Sequence, residues 1–275
     1  MIRLVLFNLL VPGLIAAATL GDRLAEARGA FRRGEVGEAV SLANQAVKDH
    51  PSAAGAWFFR GQLRVALRDH DRAVTDFDQC LKLDRQHIFG WQERGAAHFR
   101  LGRFKLAIRD WDEVIRLDPS REPHHWQRGI AYYYAGEFEK GRRQFTLHQT
   151  VNTADVENAV FHFICNARGH GMDRARKELI PISGDTRVPM AEIHRLYAGE
   201  LTATEVLAAA SRGDEQTRRR NEFYAHYYLG LYFEATGDRD RTWEHVMAAE
   251  KRADVAGYMG DCARVHAGLL RVRGR

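Results

Sequence analysis

A repeat of 34 residues constrains this chain more than any other feature of its sequence. Small residues return at this interval in two series: Ala39, Ala73, Ala107 and Gly141, and Gly61, Gly95 and Gly129. A fixed interval of this length is typical of helix pairs that stack on their neighbours, because one pair cannot bury its apolar face alone. The sequence therefore predicts an all-α solenoid of antiparallel helix pairs.

Each repeat unit is predicted to contain a first helix, A, and a second helix, B, with the small residues where the two helices cross. The turn between them suits glycine, which adopts positive φ without strain, and it holds Gly34, Gly102 and Gly136. Large aromatic side chains recur on helix B and are expected to fill the space between units: Phe77, Trp111 and Phe145. This arrangement is the tetratricopeptide repeat (TPR), and four regular copies are expected over residues 19–155.

The remaining sequence follows the same period less strictly. Residues 156–222 predict degenerate helical repeats, with a bend or loop from Pro181 to Pro189. Residues 223–275 regain the pattern and are expected to form a returning repeat and a capping helix. The whole pattern predicts a TPR superhelix with about 14 helices after residue 18.

The first 18 residues have a different character. Arg3 supplies a positive charge, residues 4–20 carry no charge, and Ala16 to Ala18 offer a small-x-small cleavage site. This layout is typical of a secretory signal peptide and is short for a membrane span of about 20 residues. We therefore expect an exported chain, periplasmic or secreted, that begins at Thr19. An uncleaved N-terminal membrane anchor and a cytosolic chain are the alternatives.

Charge and motif content argue against nucleic-acid binding and against cofactor chemistry. The net charge of +5 is spread along the chain among acidic residues, whereas nucleic-acid binders concentrate basic residues on one face. The sequence holds no HExxH or CxxC metal motif and no phosphate-binding loop. We therefore expect no cofactor, no metal and no small-molecule substrate.

The three cysteines, Cys80, Cys165 and Cys262, lie among apolar residues of helical segments and are expected to be small buried side chains. No nucleophile motif accompanies them, and the chain is predicted not to be an enzyme. The enzymatic alternative would place its chemistry near His162, Cys165 and His194.

Charged residues also follow the period. Arg60, Arg94 and Arg128 each precede the glycine of helix A. Asp76 and Asp110 recur on helix B, and their repetition indicates a structural role rather than acid–base chemistry. We expect these carboxylates to pair with the arginines and to fix the orientation of the units.

In a TPR array the A helices line the concave face, which suits capture of an extended or helical peptide. The A-helix positions expected to point inward carry aromatic, aliphatic and amide side chains: Phe58, Gln62, Gln92, Trp126, Ile130, Tyr133 and Tyr227. Some of these aromatics could instead belong to the core between repeats. The positions used elsewhere to clamp a terminal carboxylate hold Gln62, Ala96 and Ile130, so that clamp is absent.

The order of segments resembles the bacterial NlpI-type TPR lipoproteins. The resemblance is carried by "RGIAYYYAGEFEKGRRQF", by the irregular stretch "VENAVFHFICNARGHGMDRARKELIPI" with "LYAGELTATEVL", and by the return to "FYAHYYLGLYFEATGD". It implies an exported scaffold that brings a periplasmic protease and cell-wall hydrolases together, often as a homodimer. The lipid-bearing cysteine of the family is missing here, so lipid anchoring is not implied.

These features predict a non-catalytic scaffold or adaptor of the cell envelope that binds proteins or peptides through its concave face. A scaffold that works mainly by self-association is the main alternative, and an enzyme is the third.

Overall fold

A computed structural model describes residues 19–274, and the expected signal peptide lies outside the described residues. Within this part of the chain the secondary structure is helical, with fifteen α-helices and two short 3-10 turns. The all-α prediction is confirmed, with one helix more than the pattern suggested. None of the helices between residues 19 and 274 is long and apolar enough to cross a membrane.

The first eight helices form four antiparallel pairs: α1 (Leu20–Arg32) with α2 (Val36–Asp49), α3 (Ala54–Ala66) with α4 (His70–Leu83), α5 (Ile88–Arg100) with α6 (Phe104–Leu117), and α7 (Trp126–Tyr134) with α8 (Phe138–His148). The others are α9 (Val156–His170), α10 (Met172–Lys177), α11 (Met190–Ala198), α12 (Ala203–Ala210), α13 (Glu215–Thr236), α14 (Arg239–Glu250) and α15 (Gly257–Arg273). The loop expected near residues 181–189 separates α10 from α11. Helix α13 runs through the boundary that the sequence placed between residues 222 and 223.

Glycines on the A helices allow the two helices of a unit to touch. A Cβ at Gly61 would lie 2.6 Å from the Phe77 ring, and one at Gly95 would lie 2.6 Å from Trp111. The large aromatic side chains therefore fill the helix crossing within their own unit. This contact arises because the missing glycine side chain leaves room for the ring at the crossing itself.

The turns between A and B helices have the predicted positive φ. Gly34, Gly102 and Gly136 have φ values of 80°, 70° and 76°. The equivalent position of the second unit is Arg68, which has φ 61°, a conformation that costs a non-glycine residue about 1–2 kcal/mol. Its guanidinium lies 3.4 Å from Asp261 of α15, so this strained turn contacts the C-terminal helix.

The arginines of the A helices join consecutive units, as the period predicted. Arg60 pairs with Asp76 of its own unit at 2.7 Å and donates to Asn44 of the preceding unit at 3.0 Å. Arg94 repeats the arrangement, with Asp110 at 2.6 Å and Asp78 at 2.6 Å. One guanidinium thus links two successive B helices and fixes how far one unit turns against the next.

The C-terminal half does not continue as an open array. Helix α9 packs against α7, α8, α11 and α13, and α15 packs against α14 and also against α5. One hydrophobic core consequently runs from Ala96 to Val265. The three cysteines are buried, as predicted, and each is a free thiol.

Candidate protein-binding groove

The A helices form the inner side of the array. Helix α1 packs on α3, and α3 packs on α5, so successive A helices lie close together, as they do on the concave side of a curved solenoid. Helix α15 also packs on α5. The C-terminal helix therefore lies on the concave side, where the sequence predicted an open groove.

Helix α15 packs on the C-terminal end of α5 and on the first residue of α7. The Tyr258 ring stacks on Phe99 with centroids 5.6 Å apart and meets Trp126 edge-on at 5.0 Å. Asp261 pairs with Arg100 at 2.7 Å. Arg100 and Asp261 are 161 positions apart in sequence, and these aromatic and ionic contacts close this part of the groove.

Three of the seven predicted groove residues are consequently inside the core. Ile130 is 0% exposed, Tyr133 is 5% exposed and Tyr227 is 0% exposed. The expectation that these side chains face a partner is wrong in this structure, because the chain's own C-terminal helices occupy that face. The physical cause is the return of α13 and α15, which cover an A helix that would otherwise line the groove.

The hydroxyl of Tyr133 is buried and bonded within the protein. It donates a hydrogen bond to Glu234 of α13, and burial raises the pKa of Tyr133 well above its ordinary value. Burial alone would raise the pKa of Glu234, but His266, Tyr133 and Arg168 together lower it. The carboxylate therefore stays ionised and anchors α13 on α7.

The other four predicted groove residues keep some accessible surface. Gln62 is exposed, and Phe58, Gln92 and Trp126 are half-buried. Phe58 rests on His87, with ring centroids 4.6 Å apart. These four residues and Phe89 lie on α3, α5 and α7, and we name the five together the inner strip.

Phe89 belongs to the inner strip and was missed by the sequence analysis. It lies in the first turn of α5 and is 57% exposed, with the guanidinium of Arg121 5.6 Å from its ring centroid. The 34-residue equivalents of Phe89 are Gly55 and Pro123. A comparison of the repeats for an unexpected large apolar residue would have found it, since neither equivalent side chain has a comparable surface.

Hydrogen bonds fix the centre of the inner strip. Gln92 donates to Gln127 at 2.9 Å, and its Oε1 lies 3.0 Å from Nε2 of His125. Burial lowers the pKa of His125 to about 4, so the ring is neutral near pH 7 and donates through Nε2–H to the amide oxygen. The amide nitrogen and the amide oxygen of Gln92 thereby both have partners within the protein.

The residues of the enzymatic alternative are buried or bonded to the backbone. Burial raises the pKa of the Cys165 thiol far above its ordinary value, which removes the thiolate that a nucleophile needs. His194 Nε2 donates to the carbonyl of Ile180 at 2.9 Å, and burial lowers the pKa of His162 to about 4. Within residues 19–274, no group of three or more His, Cys, Asp or Glu side chains could hold a metal ion.

Comparison with known proteins agrees with this architecture. Two family models, both described as tetratricopeptide repeat, match residues 24–88 and 88–121. The helix pairs and these matches together show tetratricopeptide repeats over residues 24–121. No curated protein sequence matches the chain, and the NlpI-type resemblance stays a prediction.

Solved structures show the same fold over most of the chain. A tetratricopeptide repeat protein from Parabacteroides merdae ATCC 43184 is 14% identical and has a TM-score of 0.59, covering 91% of this chain and 98% of that one. MamA from Desulfovibrio magneticus RS-1 is 23% identical with a TM-score of 0.52, covering 58% of this chain and 92% of that one. The likeness at these identities is one of fold alone.

Proposed function

We propose that this protein is a non-catalytic scaffold that captures a segment of another protein on its inner strip. The observation that carries the proposal is the 57% exposure of Phe89 on the A helix α5, with the half-buried rings of Phe58 and Trp126 on the neighbouring A helices. Aromatic side chains of this kind are frequent anchors of protein interfaces. The amide of Gln62 is free to bond an extended backbone, which is how peptides are held in such grooves.

Site-specific crosslinking tests whether the inner strip binds a partner. We expect p-benzoylphenylalanine in place of Gln62 or Phe89 to capture a discrete protein from an envelope extract. The same residue in place of Leu106, which is 39% exposed on α6, is the control on a B helix and should capture nothing specific. A product of twice the mass of the chain would favour the self-associating scaffold instead.

A matched pair of substitutions measures how much Phe89 contributes to binding of the partner. Phe89→Ala is expected to weaken binding of the captured partner roughly 5- to 30-fold, because loss of an interface anchor costs about 1–2 kcal/mol. Leu106→Ala should leave binding unchanged. Equal binding by both variants would remove the inner strip from the proposal.

The cell envelope is the proposed location, and recruitment of a periplasmic protease or cell-wall hydrolase is the proposed role. Support comes from the signal-like pattern of residues 1–18 and from the start of α1. Thr19 caps this helix by accepting from the N–H of Asp22 at 3.2 Å, while Asp22 accepts from the N–H of Thr19. The first described helix is thus capped by the residue that cleavage would leave first.

Mass spectrometry of the protein purified from its natural host tests this location. We expect an N-terminus at Thr19 and enrichment in the envelope fraction. An intact Met1 in the envelope fraction would indicate the uncleaved anchor, and recovery of cytosolic partners alone would overturn the envelope proposal.

A further inference from the structure

A cavity of about 310 Å³ adjoins the inner strip at Trp126. It lies between α7, the start of α9 and the start of α15, and we name it the α9 cavity. Its lining includes the aromatic rings of Trp126 and Tyr258 and the polar side chains of Asp155, Glu157 and Asn158. Trp126, Asp155 and Glu157 are only partly buried, so the cavity is open to solvent on the side of the strip.

The charges at this cavity do not balance. Arg187 bonds Asp155 at 2.8 Å, Glu157 at 2.7 Å and Asp185 at 2.6 Å. One guanidinium therefore serves three carboxylates, of which Glu157 and Asp185 have side chains only 12% and 4% exposed. Burial, followed by repulsion from Asp155, raises the pKa of Glu157. A second cation would relieve this excess of negative charge.

Asn158 has a side-chain oxygen that lacks a hydrogen-bond donor within the part of the chain that the structure describes. The residue is 3% exposed and lines the cavity. Its Nδ2 donates to Gln149 at 2.7 Å, but its Oδ1 is buried with no hydrogen-bond partner among the described residues. Buried acceptors are nearly always satisfied in native proteins, so this oxygen indicates a donor that the chain itself does not supply.

The aromatic wall favours a guanidinium as that donor. The chain stacks arginine on tryptophan at two equivalent places, with Arg60 4.9 Å from the Trp57 ring and Arg94 4.7 Å from the Trp91 ring. Trp126 lies one position later in its repeat, and the residue three positions after it is Gly129. Its own helix therefore offers no arginine at that spacing.

We propose that the α9 cavity binds an arginine side chain of the partner segment held on the inner strip. Planar guanidinium stacks on aromatic rings and presents five donors to carboxylate and amide oxygens, whereas lysine offers a compact, strongly hydrated charge. The inference rests on the proposed function, because it places the arginine at the end of the same groove. It names a basic peptide segment as the partner's chemistry.

Titration of the isotope-labelled protein with N-acetylarginine amide tests the site directly by nuclear magnetic resonance. Saturable shifts are expected at the indole N–H of Trp126 and the side-chain amide of Asn158. N-acetylcitrulline amide, which keeps the shape and removes the charge, should bind at least 10-fold more weakly. Glu157→Gln should weaken arginine binding at least 5-fold, and Glu113→Gln, on the exposed side of α6, should leave it unchanged.

Equal binding of the citrulline probe, or no shift at Trp126 and Asn158, would overturn the proposal. Lysine amide binding as tightly as arginine amide would overturn the choice of arginine. The remaining signals of the Glu157→Gln spectrum show whether this variant is folded. If the cavity does not bind arginine, crosslinking at Gln62 and Phe89 should remain intact. If the inner strip does not bind a partner, that crosslinking should disappear and the titration with N-acetylarginine amide should be unaffected.

Discussion

Asp76→Ala is expected to lower the free energy of unfolding by about 3–5 kcal/mol, the usual cost of removing one partner of a buried ion pair. The Asp76 side chain is 0% exposed and accepts from Arg60 at 2.7 Å and from Arg64 at 2.8 Å. Its removal would leave two largely buried guanidinium groups without their carboxylate. Urea denaturation followed by far-ultraviolet circular dichroism measures the change.

Asp78→Ala is the matched control, two residues further along the same helix. The Asp78 carboxylate is 51% exposed, and Arg94 keeps its second partner, Asp110. An exposed pair of this kind contributes about 0–1 kcal/mol. Equal losses of unfolding free energy for the two variants would show that burial does not decide the strength of these arginine–aspartate pairs.

Gly260→Ala is expected to lower the free energy of unfolding by about 2–3 kcal/mol, although alanine favours a helix over glycine by about 1 kcal/mol. A Cβ at Gly260 would lie 1.9 Å from the carbonyl oxygen of Ala253. Neither the Cβ nor the carbonyl oxygen can rotate away from the other. Removing this clash therefore requires that α15 move away from the 3-10 turn Ala253–Val255. Urea denaturation again measures the loss.

Gly268→Ala tests the same substitution where space is available on the same helix. Apart from the adjoining backbone of α15, no atom of residues 19–274 lies within 4 Å of a Cβ built at this position, and the variant should gain up to about 1 kcal/mol from helix propensity. A stable Gly260→Ala protein would mean that α15 tolerates displacement, and that the closure of the groove by Tyr258 and Asp261 is weaker than the contacts indicate.

The sequence by itself determined the repeat units. The glycines at helix crossings, the glycines of the A–B turns and the arginine–aspartate links all recur at one interval, because each unit meets its neighbours in the same geometry. The pairing of Arg60 with Asp76, and of Arg94 with Asp110, therefore follows from the period of the sequence alone. The alternation of A and B helices through residue 148 follows from the same regularity.

Only the tertiary structure decided which groove residues are accessible. The packing of Tyr258 on Phe99, and the burial of Tyr133 and Tyr227 under the returning helices, join segments that no period relates. A periodic pattern records contacts between adjacent units, since only those repeat. The contact between α15 and α5 occurs once, so it leaves no recurring trace in the sequence, yet it separates the accessible inner strip from the buried half of the concave face.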